Sequence, residues 1–234
     1  MKNLSVNHLK KNIRGTLIAV IIYKNNFYLF SDGRVVGATN KNIVSESFSK
    51  LHKLTNYTAM LTAGRYLPNL VPEIVKKCDQ KGVVFINAII EIAKTEMEKQ
   101  WKEHLNEVEG KEFKDNRLFC FIVGYNKKEK PHLYYLDNQT SIPFLPQKRE
   151  LNQDIEIAAL STGSSNYGSE NPGNELSYFI KLEYERGNFE DNTGTKIYNA
   201  FGNTQLKLSL INQSIGGNIF MSIIDFENGY QLKR

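Results

Sequence analysis

Hydrophobic periodicity changes type four times along this chain, and the order of those changes restricts its architecture more tightly than any single motif. Leu17 to Tyr23 and Phe27 to Ser31 are runs of β-branched, aromatic and aliphatic residues. Lys24-Asn25-Asn26 between them has the length and residue types of a short hairpin turn. Val35 to Ser47 reads as a polar loop with an extended stretch at Asn42 to Ser45; Ser49 to Leu54 alternates, and a further strand is predicted at Tyr57 to Leu61, broken by Ala63-Gly64. The period then becomes helical. One helix is predicted from Leu67 to Asp79 with Gly82 as its stop, and a second from Val84 to Leu105, striped by Ile86, Ile89, Ile90, Ile92, Ala93 and Met97. Strands return at Leu118 to Tyr125, Pro131 to Asp137 and Ile155 to Leu160. Two helices follow at Glu175 to Tyr184 and Lys196 to Asn212, the last closed by Gly216-Gly217, and a final hairpin joins Ile219 to Phe226 with Tyr230 to Leu232. Strands, helix pair, strands, helix pair, strands is the order of an α+β chain in which antiparallel sheets lie inside and helix pairs outside. The expected architecture is a four-layer αββα sandwich.

At 234 residues and 41% hydrophobic content the chain can bury one sizeable core, so a single domain over 16–234 behind a short polar N-terminal extension, 1–15, is expected. The net charge of +5 raises the question of a nucleic-acid partner. Its basic clusters, Lys10-Lys11, Lys76-Lys77 and Lys127-Lys128-Glu129-Lys130, are scattered and interrupted by acids, which is the pattern of a solvated surface, and no nucleic-acid partner is expected. The early apolar run Leu17 to Tyr23 stops at Lys24, too short to span a bilayer or to serve as a secretory signal core, so a cytoplasmic protein with no membrane partner is expected. Cys78 and Cys120 have no paired spacing and read as buried thiols. His8, His52, His104 and His132 have no ligand spacing, and neither a metal nor a cofactor is expected.

Chemistry concentrates at the start of the first strand. A Thr whose own α-amine becomes free can act as a nucleophile, because that amine serves as the base for the side-chain hydroxyl. Such a Thr must open a strand, and a small residue before it gives the backbone room to rearrange before cleavage. Gly15-Thr16 meets both conditions.

In these residues the chain resembles the proteasome β-type subunits and their bacterial peptidase-ring relatives, within the N-terminal nucleophile (Ntn) hydrolases. Gly15-Thr16 is similar to the family's processing junction, which implies that Thr16 is the nucleophile and 1–15 a propeptide. Ser31-Asp32-Gly33-Arg34 is similar to the family's acidic residue followed two positions later by Arg, and Lys50, in Ser49-Lys50-Leu51, matches its Lys after a two-residue insertion in a polar loop. Ala63-Gly64 falls where the family places the backbone N–H of the oxyanion hole, and Ser161-Thr162-Gly163-Ser164 is similar to its Ser-Thr-Gly-Ser segment, which implies a proton-relaying role for Ser164. On this resemblance Lys50 lowers the pKa of the Thr16 hydroxyl, Asp32 holds Lys50, Gly64 stabilises the oxyanion, and Arg34 braces the Asp32 loop. The resemblance covers roughly 14–232 and implies self-association into a ring or stacked rings, an ATPase unfoldase as a further partner, and unfolded polypeptide as substrate.

One stretch departs from the family. Where its catalytic members often carry Asp and Ser before the late Gly-Gly, this chain has Asn212 and Ile215, with Ser214 one position earlier. Two other functions therefore stand beside the peptidase: a non-catalytic structural or gating ring subunit with an uncut N-terminus, for which Leu4 to Ile13 is a candidate leader helix, and a small-molecule amidase of the same superfamily.

Overall fold

The computed structural model describes residues 16–36, 42–107, 117–162, 172–186, 189–190 and 192–233. Within them the chain is a mixed α+β protein with antiparallel sheets and four helices. Gly15, Ser164 and the leader stretch Leu4 to Ile13 lie outside the described residues.

The first sheet is built from β1 (Thr16–Tyr23), β2 (Asn26–Asp32), β10 (Ile155–Thr162), β11 (Ile219–Asp225) and β12 (Gly229–Lys233), in the order β10-β1-β2-β11-β12. Lys24 and Asn25 turn the first hairpin with φ of 47° and 64°, the backbone that a two-residue turn between right-twisted strands demands. The second sheet, in the order β5-β6-β7-β8-β9, contains β5 (Leu51–Lys53), β6 (Thr58–Gly64), β7 (Leu118–Tyr125), β8 (Pro131–Asp137) and β9 (Gln147–Arg149). A two-stranded pair, β3 (Val35–Val36) and β4 (Ile43–Ser45), stands apart from both. The helices are α1 (Leu70–Lys81), α2 (Ile86–Glu107), α3 (Pro172–Glu185) and α4 (Thr193–Ile211). No helix among the described residues is long and apolar enough to cross a membrane.

Strand alternation sends successive residues of β1 into different cores. Leu17, Ala19, Ile21 and Tyr23 pack with Leu176 and Ile180 of α3 and with Ile197 and Phe201 of α4. Ile18, Val20 and Ile22 pack with Leu61 of β6 and with Phe119, Phe121 and Val123 of β7, so the two large sheets share a core. The opposite face of the second sheet, through Met60, Cys120 and Ile122, meets Ile74 of α1 and Ile89, Ala93 and Met97 of α2. Cys78 and Cys120 are both buried free thiols.

Several boundaries differ from the sequence expectation. Strand β6 runs through Ala63-Gly64, because these residues still pair with Phe119 and Leu118. Helix α1 starts at Leu70 and not Leu67, and Gly82 closes it in the left-handed conformation, φ 60°. Helix α4 ends at Ile211, where the Asn212 N–H bonds to Leu208 O. Gly216 and Gly217 are turn residues beyond that helix, with positive φ of 144° and 76°. Strand β9 was not anticipated: Gln-Lys-Arg has no apolar alternation, and it is a strand through its pairing with the open edge of β8. Its side chains are exposed and partly charged, as suits a sheet edge.

Candidate active site

Asp32 ends β2 and is completely buried. A carboxylate there needs donors, and it has them from three parts of the chain. Its Oδ1 accepts the Leu17 backbone N–H at 2.8 Å and the Lys50 ammonium at 2.5 Å, while its Oδ2 accepts the Gly216 N–H at 3.1 Å. Lys50, immediately before β5, is as deeply enclosed: its side chain is 3% exposed and that of Asp32 is 0%. The ammonium donates further to Asp32 O at 2.9 Å and to Arg34 O at 3.0 Å. Burial pushes the Asp32 carboxyl up and the Lys50 ammonium down from their ordinary values; the charge of each partner and the hydrogen bond between them oppose both shifts.

Arg34 stabilises the surrounding loops. Its Nε lies 3.1 Å from both carboxylate oxygens of Glu46, and Nη1 donates to Gln213 O at 2.8 Å and Ile215 O at 3.0 Å. The Gly33 and Arg34 N–H groups both bond to Gly216 O, at 3.1 and 2.9 Å. Gly216 has a φ of 144°, which strains any residue with a side chain, and a Cβ there would stand 2.7 Å from the Arg34 guanidinium carbon and force that side chain to shift. The segment before β11 is thereby held against the Asp32 turn from both sides.

Thr16 opens β1 in step with Ile18, Val20 and Ile22, the face turned towards the second sheet, and it is buried. It lines a small pocket together with Lys50, Thr62, Gly64, Phe48 and Tyr66. Phe48 and Tyr66 form one wall, edge to face with ring centroids 5.2 Å apart. Thr62 Oγ1 is 3.1 Å from His52 Nε2, and burial lowers the His52 pKa to about 4, so this imidazole is neutral at physiological pH.

Gly64 owes its place in the pocket to the β6 ladder. Thr62 N–H donates to Lys50 O on the β5 side, and Arg65 N–H donates to Arg117 O on the β7 side. Alternate N–H groups of a strand point to opposite edges, so the Gly64 N–H projects on the β5 side, beyond the Lys50 carbonyl and past the end of β5. Its φ of 90°, with Arg117 O only 2.0 Å from where a Cβ would stand, makes glycine the residue that fits.

Of the residues expected from sequence, Thr16, Lys50 and Gly64 thus share a pocket, and Asp32 and Arg34 stand directly behind Lys50. Asn212 Oδ1 accepts both the N–H and the hydroxyl of Ser214, at 3.1 and 2.5 Å, and Ile215 is buried with the α3 and α4 side chains. The sequence reading missed the parts supplied by distant backbone or unremarkable side chains: Leu17 N–H, Gly216 N–H, Glu46, and the Phe48, Thr62 and Tyr66 lining. A Glu twelve residues from Arg34 and two aromatics near a predicted strand are too common to single out. No known family profile and no curated protein matches the chain.

Proposed function

We propose that this protein is a threonine peptidase of the N-terminal nucleophile type, with the four-layer αββα sandwich of that class, and that it works inside a self-assembled ring on unfolded polypeptide. The observation that carries the reading is one pocket lined by Thr16, Lys50 and Gly64, with the Asp32–Lys50 ion pair, 2.5 Å long and inaccessible to water, immediately behind it. The three packed cores, helices against sheet, sheet against sheet, sheet against helices, support the sandwich.

In the intact chain the Thr16 nitrogen is an amide and has no basicity. Cleavage of Gly15-Thr16 converts it to an amine that takes the proton from its own hydroxyl as Oγ attacks a peptide carbonyl. The Lys50 cation stabilises the developing alkoxide, and Asp32, accepting from three donors, keeps the ammonium in place. The Gly64 N–H, projecting past the end of β5, meets the oxyanion of the tetrahedral intermediate. The amine returns the proton to the leaving nitrogen, an ester to Thr16 remains, and water hydrolyses it by the same steps in reverse order. Ser164 serves the proton transfer at the amine, and an ATPase unfoldase delivers substrate to the ring. The test is the mature N-terminus: mass spectrometry of the purified assembly should find Thr16 first, and Thr16→Ala should abolish both processing and peptide cleavage. An assembled, peptide-cleaving protein that retains Met1 would overturn the assignment.

A second reading is supported by the segment before β11. With Ile215 turned into the core and Ser214 held by Asn212, that segment places neither side chain as catalytic family members are expected to. A non-catalytic ring subunit of the same fold would stay uncut and would not react with a threonine-directed covalent inhibitor.

A further inference from the structure

Beyond the pocket, a second polar cluster, centred on the buried Asp137 and a half-exposed Arg117, sits at the start of β7, behind Gly64. Asp137, the last residue of β8, is 3% exposed and pairs with Phe119. Its Oδ2 accepts Arg117 Nη2 at 2.6 Å and the Tyr135 hydroxyl at 2.5 Å, and its Oδ1 accepts the Gln139 N–H at 2.9 Å. Arg117 Nη2 also bonds to Tyr135 Oη at 3.2 Å, and the guanidinium lies over the Phe119 ring, 5.0 Å from its centroid. The next residue is tied down as well: Leu118 N–H donates to Asn138 Oδ1 at 2.8 Å, and Leu118 O accepts the Asn138 N–H at 3.1 Å.

This cluster ends at the pocket. The backbone carbonyl of Arg117 is the group that receives Arg65 N–H at 2.7 Å and closes off the Cβ direction of Gly64. Where that carbonyl stands decides how the Gly64–Arg65 peptide is turned, and the side-chain grip on Arg117 decides where the carbonyl stands. We infer that Asp137 and Arg117 are positioning residues that set the direction of the Gly64 N–H. They touch no reacting atom. The inference rests on the proposed role of Gly64 as the oxyanion donor, a role in which an error of about 1 Å costs on the order of a hundredfold in rate.

The test uses the full-length chain with Asp137→Asn, Arg117→Gln and Tyr135→Phe, each examined by local amide exchange, melting temperature, and turnover of a fluorogenic peptide. In Asp137→Asn and Arg117→Gln the Arg65 amide is expected to exchange at least roughly tenfold faster, the factor associated with losing one charge-assisted hydrogen bond. Amides of β1 and α2 should keep their rates. In the same variants kcat is expected to fall by about tenfold to a hundredfold, with KM within about twofold of the wild type. Asp137→Glu should recover part of the lost kcat, which a general packing defect would not do. If Asp137→Asn unfolds globally, Tyr135→Phe, which removes one of the two partners of Oδ2, carries the measurement with the same signs and smaller size. Unchanged Arg65 exchange in a folded variant, or unchanged kcat in an active one, would overturn the inference. If the wild type shows no turnover at all, the peptidase reading fails, and the exchange arm still decides whether Asp137 and Arg117 set this peptide.

Discussion

Replacing Lys50 by Met removes the ammonium while keeping an unbranched stem in the same space, and it isolates the charge that the pocket is built around. Asp32 would keep its bonds from Leu17 and Gly216 but lose its ion pair, and its side chain has no exposed surface through which water could compensate. Removing one partner of a buried pair costs about 3–5 kcal/mol, because the remaining charge is left uncompensated. Against a total stability of about 5–15 kcal/mol this is a large fraction. The pH dependence gives the cause. Burial already pushes the Asp32 carboxyl above its ordinary value of 3.8, and Lys50 opposes that push. Without Lys50 the folded state prefers the protonated acid more strongly still. A carboxyl whose folded pKa exceeds its unfolded value contributes stability that is present at low pH and lost as pH rises through the folded value. The Lys50→Met deficit is therefore full at neutral and alkaline pH and shrinks as the pH falls towards the carboxylate range. Urea unfolding followed through the single, buried Trp101 measures it. Adding Asp32→Asn to Lys50→Met should recover much of the loss, since no buried charge then remains. A Lys50→Met protein within about 1 kcal/mol of wild type at pH 7.5, or a deficit that grows on acidification, would refute this account.

Two further outcomes follow from the same geometry. Arg34→Lys keeps the charge but cannot reach Glu46, Gln213 O and Ile215 O together, so a loss of about 1–3 kcal/mol in urea unfolding is expected, without change in the melting cooperativity. His52 has its folded pKa depressed from 6.5 to about 4, so the stability tied to its neutral form is present above pH 6.5 and lost between there and about pH 4, at up to about 1.4 kcal/mol per pH unit. The slope of stability against pH over that window should flatten in His52→Gln, and the His52 resonances should not titrate near pH 6.5.

Most elements were legible because their periodicities are strong. The strands Leu118–Tyr125 and Pro131–Asp137 lie as the pattern of apolar runs around a charged turn predicts. What failed was information held by pairing and not by residue type. Gln147–Arg149 becomes a strand through the open edge of β8, and Gly64 stays in β6 because Leu118 is opposite it. The candidate site divides in the same way. Thr16 could be named from the Gly-Thr pair opening an apolar strand, whereas Asp32, Lys50 and Gly64 could be named only through the family resemblance, since singly they read as a turn residue, a surface charge and a strand break. The donors that make Asp32 tenable, Leu17 N–H and Gly216 N–H, are backbone groups that any residue would offer; only the register of β1 beside β2 and the turn before β11 bring them there.

The Asp32–Lys50 pair also bears on the choice between the enzyme and the inert ring subunit. A buried ion pair is weak support for a fold: apolar replacements of similar volume are often neutral or stabilising. Part of this pair has a structural use, since Asp32 joins the start of β1 to the Gly216 turn, but two neutral acceptors would do that as well. Lys50 has a structural use too, since its ammonium ties the Asp32–Arg34 turn to the start of β5 through Asp32 O and Arg34 O, but neutral donors could serve there. Its backbone carbonyl already accepts Thr62 N–H whatever side chain it bears, and Arg34 already holds the Gly216 turn from the other side. What a cation at this position adds is a field in the pocket that Thr16 lines. The segment before β11 weakens the apparatus without removing that field: Ile215 fills the core and Asn212 satisfies Ser214, yet the Ile215 carbonyl still accepts Arg34 and the Gly216 N–H still reaches Asp32. Under the proposed peptidase reading, a site altered in this way would keep Thr16, the Lys50 cation and the Gly64 N–H and would lose polar support beside the Thr16 amine. On that reading the expected consequence is slower proton transfer at Thr16 with the geometry for attack retained, so a weakly active peptidase and not an inert one is the outcome that a fluorogenic-peptide assay should find.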